Sequence, residues 1–291
     1  MATAALTRAK NPTASRVTGT LGAEVEGIDV SQDLDQEIID WISAALVEHK
    51  VLFFRDQHAL DRKQHLAFGR RFGELEIHPF AYGLDVFGND EADPELIVID
   101  HPGGQRNTGT DIWHSDVSFR ETPALGSILR CVVPANPGGD TLWADMEKAY
   151  ELLDDETKAL IADLEAEHDW PNFRRGMINR GVDEETIAKF REKFPVMRHP
   201  VVRTHPVSGN KCIYVNSVFT TGIVGMDKDE SDALLTRLCR QATIPEVQVR
   251  FRWEPGSVAF WDNRSTQHYA VTDYQTRRVM ERVTIAGDKP F

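Results

Sequence analysis

Trp113-His114-Ser115-Asp116-Val117-Ser118-Phe119 sets an imidazole and a carboxylate two residues apart. The aromatic and β-branched members of the run favour a strand, where residues i and i+2 share a face. His114 and Asp116 could then meet one cation. A nitrogen and oxygen pair completed by a distant second histidine is the 2-His-1-carboxylate donor set of mononuclear non-haem iron, and His268 is the candidate for that place. By itself His-x-Asp says little, because with ten histidines in the chain about one such pair is expected by chance.

A second cluster changes the weight of the first. Phe260-Trp261-Asp262-Asn263-Arg264-Ser265-Thr266-Gln267-His268 is followed by Arg277, Arg278 and Arg282, and the chain closes on Gly287-Asp288-Lys289-Pro290-Phe291. Upstream stand Phe72-Gly73-Glu74-Leu75 with Ile77-His78-Pro79, Gly138-Gly139-Asp140-Thr141-Leu142-Trp143, and His199-Pro200-Val201-Val202-Arg203-Thr204-His205-Pro206. With these motifs the chain resembles the taurine/aryloxyalkanoate family of Fe(II)- and 2-oxoglutarate-dependent dioxygenases, most closely its taurine dioxygenases. The similarity runs from about Gly22 to Phe291.

The resemblance implies Fe(II) held by His114, Asp116 and His268, with 2-oxoglutarate as cosubstrate and O2 as oxidant. Oxidative decarboxylation to succinate and CO2 would drive hydroxylation of the primary substrate. The far carboxylate of 2-oxoglutarate would meet Arg278, ten residues after His268, and the Thr141 hydroxyl. Taken alone, Thr141 reads equally well as a β-branched strand residue. His78 and Arg282 would receive a sulfonate, although a lone His before Pro more often sits in a turn. Arg282, four residues beyond Arg278, shares its strand face, and a buried Arg needs an anion. Tyr82, Thr110, Val117 and Phe219 complete the expected substrate contacts. Thr110 replaces the Asn of the taurine enzymes, and the aromatic after His78-Pro79 is displaced to Tyr82 or replaced by Phe80. These departures leave taurine and a related sulfonate beside an alkyl sulfate ester or an aryloxyalkanoate. From another class, the same ligands could serve a zinc hydrolase or a metal-binding barrel without catalysis.

A net charge of −13 excludes nucleic acid and anionic membrane as partners, since both need a basic surface. An anionic organic substrate must therefore be met locally, by Arg and His. Cys131, Cys212 and Cys239 have no zinc or redox spacing and cannot all pair, which fits a reducing compartment and a cytoplasmic location. No apolar run approaches a membrane span. Family members commonly form dimers or tetramers, so a homo-oligomer is expected.

A chain of 291 residues suits one domain, read as a flexible tail over 1–15 and a catalytic domain over 16–291. Arg16 to Val30 alternates around Gly19 and Gly22 as a hairpin. Leu34, Ile38, Ile42 and Leu46 have helical spacing, Val51 to Phe54 is a buried strand, and Asp61 can cap a second helix ending near Gly73. Loops are expected over 84–95 and 101–112 on either side of a strand at Leu96 to Ile99. Ser127 to Val133 is a strand; Asp145 to Leu153 and Glu156 to Leu164 are helices; and a polar, irregular insertion covers the site around 170–195. His199 to Arg203 and Lys211 to Asn216 form a hairpin, Asp227 to Arg240 a helix, and Val247 to Trp253 a half-buried strand. Ser257 to Asp262 and Val279 to Ala286 are the last strands. His199 and His205 read as structural. Short strands with Gly/Pro turns make the fold mainly β with flanking helices, a double-stranded β-helix or cupin-like jelly roll.

Overall fold

The computed structural model describes residues 12–79, 88–90, 93–104 and 109–291. Strand β1 (Thr13–Arg16) pairs antiparallel with β2 (Ala23–Glu26), so regular structure reaches back into the expected tail. Helix α1 (Gln36–His49) starts where the Asp35 carboxylate accepts from Ile38 N, and it buries Ile38, Ile39, Ile42 and Leu46. After β3 (Val51–Phe54), α2 (Arg62–Arg70) opens on a capping box between Asp61 and Gln64, which satisfies donors the first helical turn leaves open. Strands β4 (Gly88–Asp90) and β5 (Asp93–His101) pair antiparallel, so residues 88–90 and 93–95 are strand where a loop was expected.

Next come β6 (Gly126–Val133), β7 (Thr141–Asp145), α3 (Met146–Glu151), α4 (Asp155–Ile161) and β8 (Glu165–His168). The stretch expected to be irregular instead holds two helices, α5 (Pro171–Asn179) and α6 (Glu184–Lys193). Their polar composition follows from one-sided packing. Met177 is the buried residue of α5 and Ile187 that of α6, and both join a cluster with Val117, Phe119, Trp170 and Phe219.

Strands β9 (Met197–Pro200), β10 (Val202–Thr204), β11 (Lys211–Ile213) and β12 (Thr220–Ile223) precede α7 (Lys228–Cys239). The expected hairpin is narrower than its sequence pattern: only β10 pairs with β11, whereas β9 carries His199 into pairing with β8. The chain ends through β13 (Gln248–Phe251), β14 (Val258–Asp262), β15 (Thr266–Ala270) and β16 (Arg278–Ile285).

The large sheet runs β1-β2-β3-β14-β6-β16-β5-β4, and a small sheet β13-β7-β15 faces it as a jelly roll. Between them Phe53, Leu129, Ala259, Trp261 and Met280 meet Trp143, Val249 and Phe251. Behind the large sheet a second cluster packs Ile42 and Leu46 of α1 against Phe54, Phe260 and Val283. β16 belongs to both layers. Glu281 on the α2 side binds Arg62 and Arg130 at 2.7 and 2.8 Å, while Arg278, Met280 and Arg282 alternate with it onto the inner face. No helix of the described residues is long and apolar enough to cross a membrane.

The layer under α1 yields a stability prediction. Ile42 is fully buried, and Ile42→Ala should cost about 2–5 kcal/mol through lost burial and the cavity it leaves. Urea unfolding checks this, and a loss under about 1 kcal/mol would show that α1 is not part of the core.

Candidate metal and cosubstrate site

His114 and Asp116 are not on the strand their sequence predicts. His114 forms one isolated bridge with His268, giving 2.8 Å from His268 N to His114 O and 3.2 Å in return. The chain then turns at once, and Val117 has φ +46°, a left-handed conformation that strains a β-branched residue. The cause lies in the turn between β14 and β15. Asn263, fully buried after β14, accepts from Asp116 N at 2.7 Å and donates to Asp116 O at 3.1 Å and to Ala124 O at 3.2 Å. A side chain that occupies both backbone groups of Asp116 stops the strand there.

This turn brings the predicted ligands together. The bridge sets the His114 and His268 rings 4.1 Å apart and tilted by 48°, and the facing nitrogens lie 4.0 and 3.8 Å from Asp116 Oδ1. Among the described residues the three form the one group of metal-ligating type, with ligand atoms all within 4.8 Å of one another. The carbonyl of Ile112 accepts from His114 Nδ1 at 2.7 Å, which leaves Nε2 bare, as a metal ligand requires. Burial holds both imidazoles neutral: His268 is pulled down to about 3 and His114 also falls below its ordinary value.

Burial acts the other way on Asp116 and would raise its pKa. Arg282, then His268, His114 and His78, outweigh it and hold the carboxyl below the ordinary range. Arg282 Nη1 donates to Asp116 Oδ1 at 3.1 Å, and Ser127 Oγ to Oδ2 at the same distance. Two neutral imidazoles and one carboxylate fit a divalent cation of the Fe(II) type.

The two residues expected to meet the cosubstrate are both buried. Register sets His268 opposite Trp143 and Ala270 opposite Thr141, so Thr141 shares the face of His268 one pleat away. Arg278 is buried, its Nε has no hydrogen-bond partner, and no described carboxylate pairs with it. A buried cation without a carboxylate partner suits an anionic ligand. Gly139 permits the approach, since a Cβ there would come within 3.1 Å of Arg278 Cδ. Arg277 lies outside, paired with Asp100 at 2.6 Å.

His78 follows α2, buried, with burial and the Arg282 guanidinium pulling it down to about 3. Its ring lies 6.1 Å from that of Phe173 on α5, which stacks on Phe219 at 6.2 Å. Val117 joins the same apolar cluster. The Thr110 carbonyl accepts from Ala270 N, at the end of the strand that carries His268. Tyr82 and Phe80 lie outside the described residues. His199 and His205, expected to be structural, contact Arg120 O at 2.9 Å and Asp262 at 3.0 Å. Asn263 and Phe173 were missed. Asn263 stood inside a quoted motif without a role, and Phe173 inside the supposed irregular stretch.

If Asn263 sets the position of Asp116, Asn263→Ala should lower Mn(II) affinity at least about tenfold, as loss of a group supporting a ligand does. Equilibrium dialysis of folded variant and parent is the check, and equal affinities would remove Asn263 from the site.

The model of the taurine catabolism dioxygenase TauD, TfdA family matches residues 13–284. An alpha-ketoglutarate-dependent sulfate ester dioxygenase of Pseudomonas putida is 39% identical over 279 residues, covering 94% of this chain and 89% of the relative. An alkylsulfatase of Acinetobacter baylyi is 37% identical over 288 residues, covering 96% and 87%. The crystal structure of a taurine dioxygenase from Burkholderia xenovorans superposes with a TM-score of 0.79 at 35% identity, covering 97% of this chain and 93% of that one. Enzymes of this family depend on Fe(II), 2-oxoglutarate and O2, and the His-Asp-His cluster described above has the donor set for the metal. The chain belongs to the taurine catabolism dioxygenase TauD, TfdA family of 2-oxoglutarate-dependent dioxygenases.

Proposed function

We propose that the chain hydroxylates an organic substrate ending in a sulfur oxyanion, with an alkyl sulfate ester the best fit. His114, Asp116 and His268 hold Fe(II); Arg278 and Thr141 hold the distal carboxylate of 2-oxoglutarate; His78 and Arg282 receive the sulfur oxyanion. Bound Fe(II), with 2-oxoglutarate and O2, supplies the oxidant for an unactivated C–H bond and yields succinate and CO2. Hydroxylation at the carbon bearing the sulfate oxygen gives a hemiacetal sulfate, which collapses to an aldehyde and hydrogen sulfate. A sulfonate hydroxylated at the carbon bearing sulfur would collapse to an aldehyde and sulfite.

One observation carries the anion reading: Arg282 and a neutral His78 converge beside Asp116 in a chain of net charge −13. Arg offers a planar fork and His one N–H, both matched to a sulfur oxyanion. The walls near His78 favour an alkyl tail over an ammonium group, because they come from Phe173, Phe219 and Val117. The names of the Pseudomonas and Acinetobacter relatives support the sulfate ester. Taurine is the second reading, favoured by the Burkholderia neighbour.

The substrate reading is tested by incubating Fe(II)-loaded protein, 2-oxoglutarate and O2 with an alkyl sulfate, taurine or the parent alcohol. Aldehyde, succinate and sulfate in equal amounts are expected from the alkyl sulfate, with little turnover of the alcohol. Sulfite from taurine at a higher kcat/KM would reverse the preference. Sulfate without oxygen consumption would make the chain a hydrolase.

Arg282→Ala should raise the KM for the alkyl sulfate at least about tenfold, since an anion loses its charged partner in a buried site. Substrate-free consumption of 2-oxoglutarate should stay measurable. Loss of both together would mean that Arg282 serves the metal site through Asp116 rather than the substrate.

A further inference from the structure

Trp253 lies two residues past the end of β13, and its indole Nε1 donates to Thr141 Oγ1 at 2.9 Å. Both residues are buried. The pairing of β13 with β7 sets Phe251 opposite Thr141, so Trp253, next on the same face, reaches back over the start of β7. Its ring is fixed edge-on against Phe251 at 5.0 Å and lies 6.4 Å from Trp143.

A threonine hydroxyl has one proton and two lone pairs. Here one lone pair is taken by the indole, and among the described residues no atom accepts the Thr141 proton. That proton is therefore turned away from Trp253. Satisfying an indole N–H does not by itself explain the contact. Trp143 and Trp261, in the same core, make no hydrogen bond to protein through their own Nε1 atoms. Of the three neighbouring tryptophans, the one with a partner has Thr141.

We propose that Trp253 is a positioning residue for the cosubstrate. It fixes the rotamer and proton direction of Thr141, so that hydroxyl and Arg278 guanidinium present donors to the distal carboxylate of a 2-oxo dicarboxylic acid. Binding then needs no reorientation of the hydroxyl, and its cost in ordering is met when the barrel folds. The proposal rests on the assignment of Thr141 to 2-oxoglutarate.

The test is a double-mutant cycle read by calorimetry of 2-oxoglutarate binding to Mn(II)-loaded protein, using the parent, Trp253→Phe, Thr141→Val and the double variant. Trp253→Phe should weaken binding about fivefold, the worth of one neutral hydrogen bond, with Mn(II) affinity unchanged. In the Thr141→Val background the same change should have no effect. If Trp253→Phe does not fold, a tryptophan analogue with sulfur in place of the indole N–H keeps the shape and removes only the donor. Equal weakening in both backgrounds would mean that Trp253 acts through packing and would overturn the inference, as would no weakening in the Thr141 parent. An unchanged affinity in Thr141→Val would instead overturn the assignment of Thr141 itself.

Discussion

A carboxylate buried inside the barrel is the constraint on which the rest of this structure turns. Taking Asp116 out of water costs several kcal/mol unless charge and hydrogen bonds replace the lost hydration. Arg282 and Ser127 each hold one of its oxygens, and two imidazoles face it. Arg282 must therefore be on the inner face of β16, which by the two-residue period places Arg278 there as well. One strand thus carries the counter-charge of the candidate metal ligand and the cation proposed to meet the cosubstrate. Asn263 and the Val117 turn hold the carboxylate still, and the Phe119–Phe219 layer above them is closed by α5 and α6.

Part of this was legible from residue types and spacing, and part only through the family resemblance. His114, Asp116 and His268 come together as the resemblance implied, and the helical spacing of Ile38, Ile42 and Leu46 falls on α1. The strand at Trp113 to Phe119 was misread because its pattern is that of a strand. What ends it is Asn263, 147 positions away. The pairing of Trp253 with Thr141, 112 positions apart, is invisible for the same reason. α5 and α6 looked irregular because each buries a single residue, too few to create an apolar stripe.

The distribution of charge also separates fold from function. Most surface ion pairs, such as Lys189 with Glu185, are exposed and contribute little to stability. The informative charges are the buried ones, because each must be explained. Glu281 has two arginines, Arg264 has Asp262, and Arg203 has Asp288. Arg278 has no such partner among the described residues, and the small anion it needs is the part of the chemistry that the protein does not supply.

A titration of Mn(II) into the parent and Asp116→Asn, followed by equilibrium dialysis, bears on that arrangement most directly. The substitution keeps the shape of the side chain and removes its charge. One ion per chain in the parent, and at least about a hundredfold weaker binding in a folded Asp116→Asn, is expected from the loss of the only anionic ligand. Undiminished binding of one ion in Asp116→Asn would contradict it, since the metal would then be held somewhere other than between His114, Asp116 and His268.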